Sequence, residues 1–214
     1  MNKKLYIIAI IMLGSLIIGC ESKTGNQNIE TSLHYADMTE YGIVDGHNFI
    51  QIGMDEALKL TQDSLWEGIL YFGFPTCPWC QAAVPIMNEA ALQSGINIYY
   101  VSRAGYLREG IWLEWDEEMA WFLHEQIDNM RWIYENDVAI RPNINVPQIV
   151  HLKGGVVIDQ HRGTFEEHVR LEDRTLPELT DYQKEELLNR YLEIFNEVQL
   201  QESCPLVVEQ DECS

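Results

Sequence analysis

Tyr71-Phe72-Gly73-Phe74-Pro75-Thr76-Cys77-Pro78-Trp79-Cys80 decides how this 214-residue chain is read. Residues 69–74 are an apolar and aromatic run of the length of a buried strand. The run ends in a turn and a Cys-x-x-Cys pair, Cys77 and Cys80, at the expected start of a helix. A helix N-terminus presents unpaired N–H groups and the positive end of the helix dipole. That environment favours thiolate over thiol, and the thiolate is the reactive species.

Working outward, residues 81–93 continue as a helix that Pro85 should kink, Gly95 stops it, and 96–101 is a second apolar strand. Upstream, 48–52 reads as a short strand and 53–60 opens a helix with Asp55 and Glu56 in its first turn; Met54, Leu58 and Leu65 make its apolar stripe. Further on, Ile111, Trp115, Met119, Phe122, Leu123, Ile127, Met130 and Ile133 recur at helical spacing, which predicts helix across 104–143. Trp121 and Trp132 fall on the other face among acids, either as a contact surface or packed on a neighbouring element. Val146-Pro147 leads into a strand over 148–152, Gly154-Gly155 supplies a hairpin turn, and 156–160 returns. Thr180 with Gln183 forms a capping box for a last helix carrying Leu187, Leu188, Tyr191, Leu192, Ile194, Phe195 and Val198. This order predicts an α/β fold, a mixed sheet with helices on both faces.

Taken together, these features resemble the thioredoxin fold: an aromatic strand, Cys77-Pro78-Trp79-Cys80, Pro85 five residues past the second Cys, and Val146-Pro147 ahead of a Gly-turn hairpin. The resemblance covers about residues 49–201. It implies that Cys77 is the attacking thiol and Cys80 the resolving one. It also implies that Pro147 is cis and presents the Val146 backbone to a substrate chain. Trp79 either contacts substrate or fills space. No cofactor is implied beyond the redox-active pair itself. More narrowly, residues 69–81 are similar to thioredoxin-like proteins known as bacteriocin transport accessory proteins, which implies thiol–disulfide work at the outer face of a Gram-positive membrane, with a secreted peptide as one candidate substrate.

Two departures stand out. Thioredoxins carry a buried acid six residues before the first Cys, where this chain has Tyr71. The segment between Cys80 and Pro147 is also longer than in thioredoxin, giving the expected helical insertion 104–143.

The N-terminus has the pattern of an export signal. Lys3 and Lys4 precede an apolar run over 5–18, too short to cross a bilayer comfortably. Its end, Leu16-Ile17-Ile18-Gly19-Cys20, resembles a bacterial lipobox, which would make Cys20 the lipid-modified first residue after removal of 1–19. An ordinary signal peptide with an incidental cysteine is the alternative. Residues 20–42 then read as a flexible tether, 43–201 as the domain and 202–214 as a tail. In an oxidising compartment Cys204 and Cys213 form a structural staple, contributing about 2–3 kcal/mol by the chain-entropy model, or act as a second redox relay. No Cys or His spacing fits a zinc site, and the six histidines read as surface or hairpin residues.

The formal charge of −20, with no basic patch, argues against nucleic acid and against docking on anionic lipid. The leading expectation is a lipid-anchored thiol–disulfide oxidoreductase at the extracytoplasmic face of a bacterial membrane, acting on secreted or surface proteins or peptides and reset by a redox partner. A reductase serving cytochrome c maturation is one alternative. A non-catalytic lipoprotein that binds through its acidic, Trp-bearing insertion is another. A Pro-x dipeptide between the cysteines does not set the direction of electron flow.

Overall fold

The computed structural model describes residues 34–103, 114–128 and 130–202. The expected signal peptide, Cys20, the Cys204/Cys213 pair and residues 104–113 of the insertion lie outside them. A five-stranded sheet runs in the order β1-β3-β2-β6-β7, with β1 Phe49–Ile52, β2 Glu67–Gly73, β3 Ile98–Ser102, β6 Gln148–Lys153 and β7 Val156–Arg162. β3 pairs in parallel with both β1 and β2, whereas β6 runs antiparallel to β2 and to β7. This mixed sheet, with helices on both faces and the dithiol at the end of its central strand, is a thioredoxin-like fold.

Alternation along β2 sorts the core into two layers. Ile69 and Tyr71 face α2 (Pro78–Ser94) and α4 (Asp181–Glu202), packing with Val84, Met87, Leu187, Tyr191 and Phe195. Leu70 and Phe72 face α1 (Met54–Gln62) and α3 (Glu114–His124), packing with Met54, Leu58, Met119 and Leu123. Burial on both faces explains why β2 is a continuous apolar run with no polar alternation.

Local signals hold where backbone chemistry dictates them. Gly95 ends α2 in the left-handed region at φ 67°, and α2 continues through Pro85. Gly154 and Gly155, at φ 54° and 80°, form the β6–β7 turn. Thr180 and Gln183 cap α4 reciprocally: the Gln183 N–H donates to Thr180 Oγ1 at 3.2 Å, and the Thr180 N–H donates to Gln183 Oε1 at 2.9 Å.

Four expectations need correction. The tether does not extend to residue 42, because Ala36, Met38 and Tyr41 are buried and Tyr35 bridges Ile50 at the edge of β1. Leu65 lies beyond α1 and is exposed. The helical reading of the insertion is met in α3 but fails after it, where β4 (Arg131–Glu135) and β5 (Val138–Asn143) form an antiparallel hairpin. Asn136 and Asp137 make its two-residue turn at φ 48° and 63°, and Trp-Ile-Tyr in β4 is strand-forming sequence; together they override a spacing of apolar residues that only mimics a helix. Finally, His168 is buried and hydrogen-bonded between β7 and α4, neither a surface nor a hairpin residue, whereas His151 does lie in the β6–β7 hairpin, with its side chain buried.

Candidate redox site

Cys77 is the N-cap of α2, held in extended conformation (φ −83°, ψ 116°), with Pro78 in the first helical turn where its missing N–H leaves no bond unmade. Its sulfur accepts the Cys80 N–H at 3.4 Å. Its thiol also points at the Val146 carbonyl, 3.8 Å away. The Val146–Pro147 peptide is cis. The fold thus brings together Cys77, Cys80, Val146 and Pro147, residues that chain order separates widely.

Both cysteines are free thiols, and both are buried, Cys77 at 5% exposure and Cys80 at 0%. Their acidities are driven apart. The Cys77 thiol is lowered to about 7, chiefly because the Cys80 thiol donates a hydrogen bond to its sulfur, with the Cys80 and Trp79 N–H groups and the positive charge of Arg170 helping. Burial, and then the bond given to Cys77, pushes the Cys80 thiol up. One sulfur is thereby prepared to attack while the other stays protonated until it is needed.

Trp79 is pinned. Its indole N–H donates to the His168 carbonyl at 2.9 Å, and the Arg170 guanidinium stacks 4.9 Å from the ring centre. Both partners come from the 163–180 segment between β7 and α4, which the sequence presents only as an irregular acidic stretch. That segment is tied down through His168. Its Nε2 bonds the Pro177 carbonyl at 2.8 Å, and its Nδ1 bonds the Thr164 hydroxyl at 2.6 Å. Because a carbonyl can only accept, Nε2 carries a proton. Between this segment and the start of α2 lies a groove of about 420 Å³, lined by Thr76, Pro78, Gln81 and Ala82 on one side and Leu176, Pro177 and Glu178 on the other.

Behind Cys80 stand three tyrosines. Tyr71 is fully buried and stacks on Tyr100 with ring centres 5.3 Å apart; the Tyr100 and Tyr41 hydroxyls are 3.4 Å apart. Burial, reinforced by Cys80, holds the Tyr71 phenol well above its ordinary value, so it stays protonated and cannot act as a base. Sequence reasoning found Tyr71 but missed Tyr41, Tyr100, Thr164, His168 and Arg170. Tyr100 had a usable signal, since it is the inward residue paired with Tyr71 in the neighbouring parallel strand. No local pattern marks the other four.

Trp121 and Trp132 pack on one another, and Trp121 keeps 38% of its surface exposed. Their rings meet edge to face at 5.7 Å with His124 packed against both.

No protein-family model matches the chain, and no curated protein matches it in sequence. Solved structures similar to it include the thioredoxin from Aeropyrum pernix, at 18% identity over 53% of this chain and 74% of that one, with a TM-score of 0.33. Thioredoxin O2 from Arabidopsis thaliana, in its oxidised state, is similar at 14% identity over 56% and 85%, with a TM-score of 0.35. Spinach chloroplast thioredoxin f is similar at 14% identity over 77% and 98%, with a TM-score of 0.37. The fold itself rests on the strand order, the dithiol at the head of α2 and the Val146–Pro147 loop beside it.

Proposed function

We propose that the protein is a thiol–disulfide oxidoreductase working through Cys77 and Cys80. One observation carries the reading: a helix-capping thiol lowered to about 7 stands beside a buried partner thiol that is raised. Cys77 thiolate attacks a substrate disulfide, and Cys80 then displaces the substrate from the mixed disulfide; the reverse sequence passes a disulfide outward. Val146 and Pro147, next to the attacking sulfur, are the proposed contact for an extended substrate chain, with Trp79 at the side. Export and lipid attachment at Cys20 would place this chemistry at the outer face of the bacterial membrane. The similarity of 69–81 to bacteriocin transport accessory proteins supports secreted peptides as substrates.

The test is exchange between the protein and a peptide disulfide, followed by alkylation and mass measurement. Cys77→Ala should abolish exchange and leave the fold intact, and Cys80→Ala should trap the mixed disulfide. Full exchange by Cys77→Ala would sink the reading. The reduction potential gives the direction: near −120 mV the pair oxidises its clients, and near −270 mV it reduces them. Cys20→Ala should abolish incorporation of labelled fatty acid into the protein.

A further inference from the structure

Tyr71 occupies a position whose cost is visible and whose use is not. Its ring is locked by the stack on Tyr100 and an edge contact with Phe49 at 6.1 Å. The phenol reaches along β2 toward the dithiol, over Gly73: a Cβ at position 73 would overlap the Tyr71 hydroxyl. Glycine at 73 is therefore what lets the hydroxyl reach the sulfur end of the strand. There it comes within interaction range of the Cys80 thiol and of Tyr41, yet meets hydrogen-bond geometry with neither. Buried hydroxyls are seldom left in that condition. A neutral thiol is a weak acceptor, whereas a thiolate is a strong one. The phenol thus lacks a good partner in the dithiol and would gain one when Cys80 carries charge.

We propose that the Tyr71 hydroxyl is the hydrogen-bond donor that stabilises negative charge on Cys80 as the dithiol closes on a mixed disulfide, making Tyr71 a positioning residue for resolution. This rests on the exchange chemistry proposed above. In that step Cys80 loses its proton and its sulfur attacks Cys77 Sγ. The Cys77–Cys80 bond forms, and the bond between Cys77 and the substrate sulfur breaks. The departing sulfur keeps the electron pair and takes up the proton, leaving as a thiol. Tyr71 gives a hydrogen bond and no proton, so its own protonation state is unchanged across the step.

The competing role is space filling, which phenylalanine would serve equally well. Reduced full-length protein is mixed with 5,5′-dithiobis(2-nitrobenzoate), a disulfide that needs no protein-substrate recognition. The first release of thionitrobenzoate reports attack by Cys77, and the second reports resolution by Cys80. Phases that persist in Cys77→Ala belong to the other cysteines and are subtracted. Tyr71→Phe should leave the first phase within about twofold and slow the second by roughly 10- to 100-fold, the range of a hydrogen bond to a charged group. With Cys80→Ser the second phase should vanish and Tyr71→Phe should have no further effect. An unchanged second phase in Tyr71→Phe overturns the proposal, as does equal slowing of both phases. Failure on a peptide substrate would count against the oxidoreductase reading, because this reagent probes resolution directly.

Discussion

Cys77 and Cys80 are chemically alike in sequence and opposite in the fold. One caps a helix and collects hydrogen bonds to its sulfur; the other lies a turn deeper and gives one away. The consequence is a pH profile. Lowering the folded value of an acid enlarges its ionised fraction between the folded and ordinary values. Cys77 thiolate should therefore be half formed near pH 7 and lost as pH falls through it. At pH 7 that is roughly fifteen times the thiolate of a thiol at about 8.5. Iodoacetamide should modify Cys77 with a midpoint near 7, and Cys80 should stay unreactive over the same range. A Cys77 midpoint at the ordinary thiol value would mean that the helix cap and the Cys80 bond do not act on it. The motif and its helical position were legible because they occupy four consecutive residues. The groups that tune it were not, since Arg170 and His168 reach Trp79 across some ninety positions and Tyr41 arrives from the N-terminal side.

Among the elements, strands and caps were readable wherever one residue dictates backbone geometry. The insertion was not, because its apolar spacing of three and four residues continues past the end of α3 into a hairpin. Asn136-Asp137 was the available clue, two residues that tolerate positive φ side by side. The corrected picture changes what α3 does. Met119, Ala120 and Leu123 are fully buried against α1 and the Leu70–Phe72 face of β2, so α3 completes one side of the sheet and is not an appendage. Leu123→Ala should then lower unfolding stability by about 2–5 kcal/mol, the cost of a cavity in a packed core. Denaturant titration measures it. A loss below about 0.5 kcal/mol, typical of surface substitutions, would mean that α3 does not belong to the core.

Charge acts over the whole chain, and here it opposes the local field of the site. The formal balance is −20, yet the charged group that helps lower Cys77 is a cation, Arg170, resting on Trp79. Distance and screening separate the two effects. At 0.01 M salt the Debye length is about 30 Å, so an approaching peptide senses the whole acidic surface; at 1 M it is about 3 Å, and only groups in contact with the peptide still act. Steering by such a field changes encounter rates by about 10- to 1,000-fold at low salt. A cationic peptide disulfide should therefore react with Cys77 at least about tenfold faster than an anionic one of equal length at 0.01 M salt. The ratio should collapse toward one, or invert, by 1 M as Arg170 becomes the remaining charge near the sulfur. Stopped-flow rates for the two peptides across that range decide it. If the anionic peptide is faster at low salt, Arg170 governs approach as well as acidity, and the acidic surface serves solubility alone.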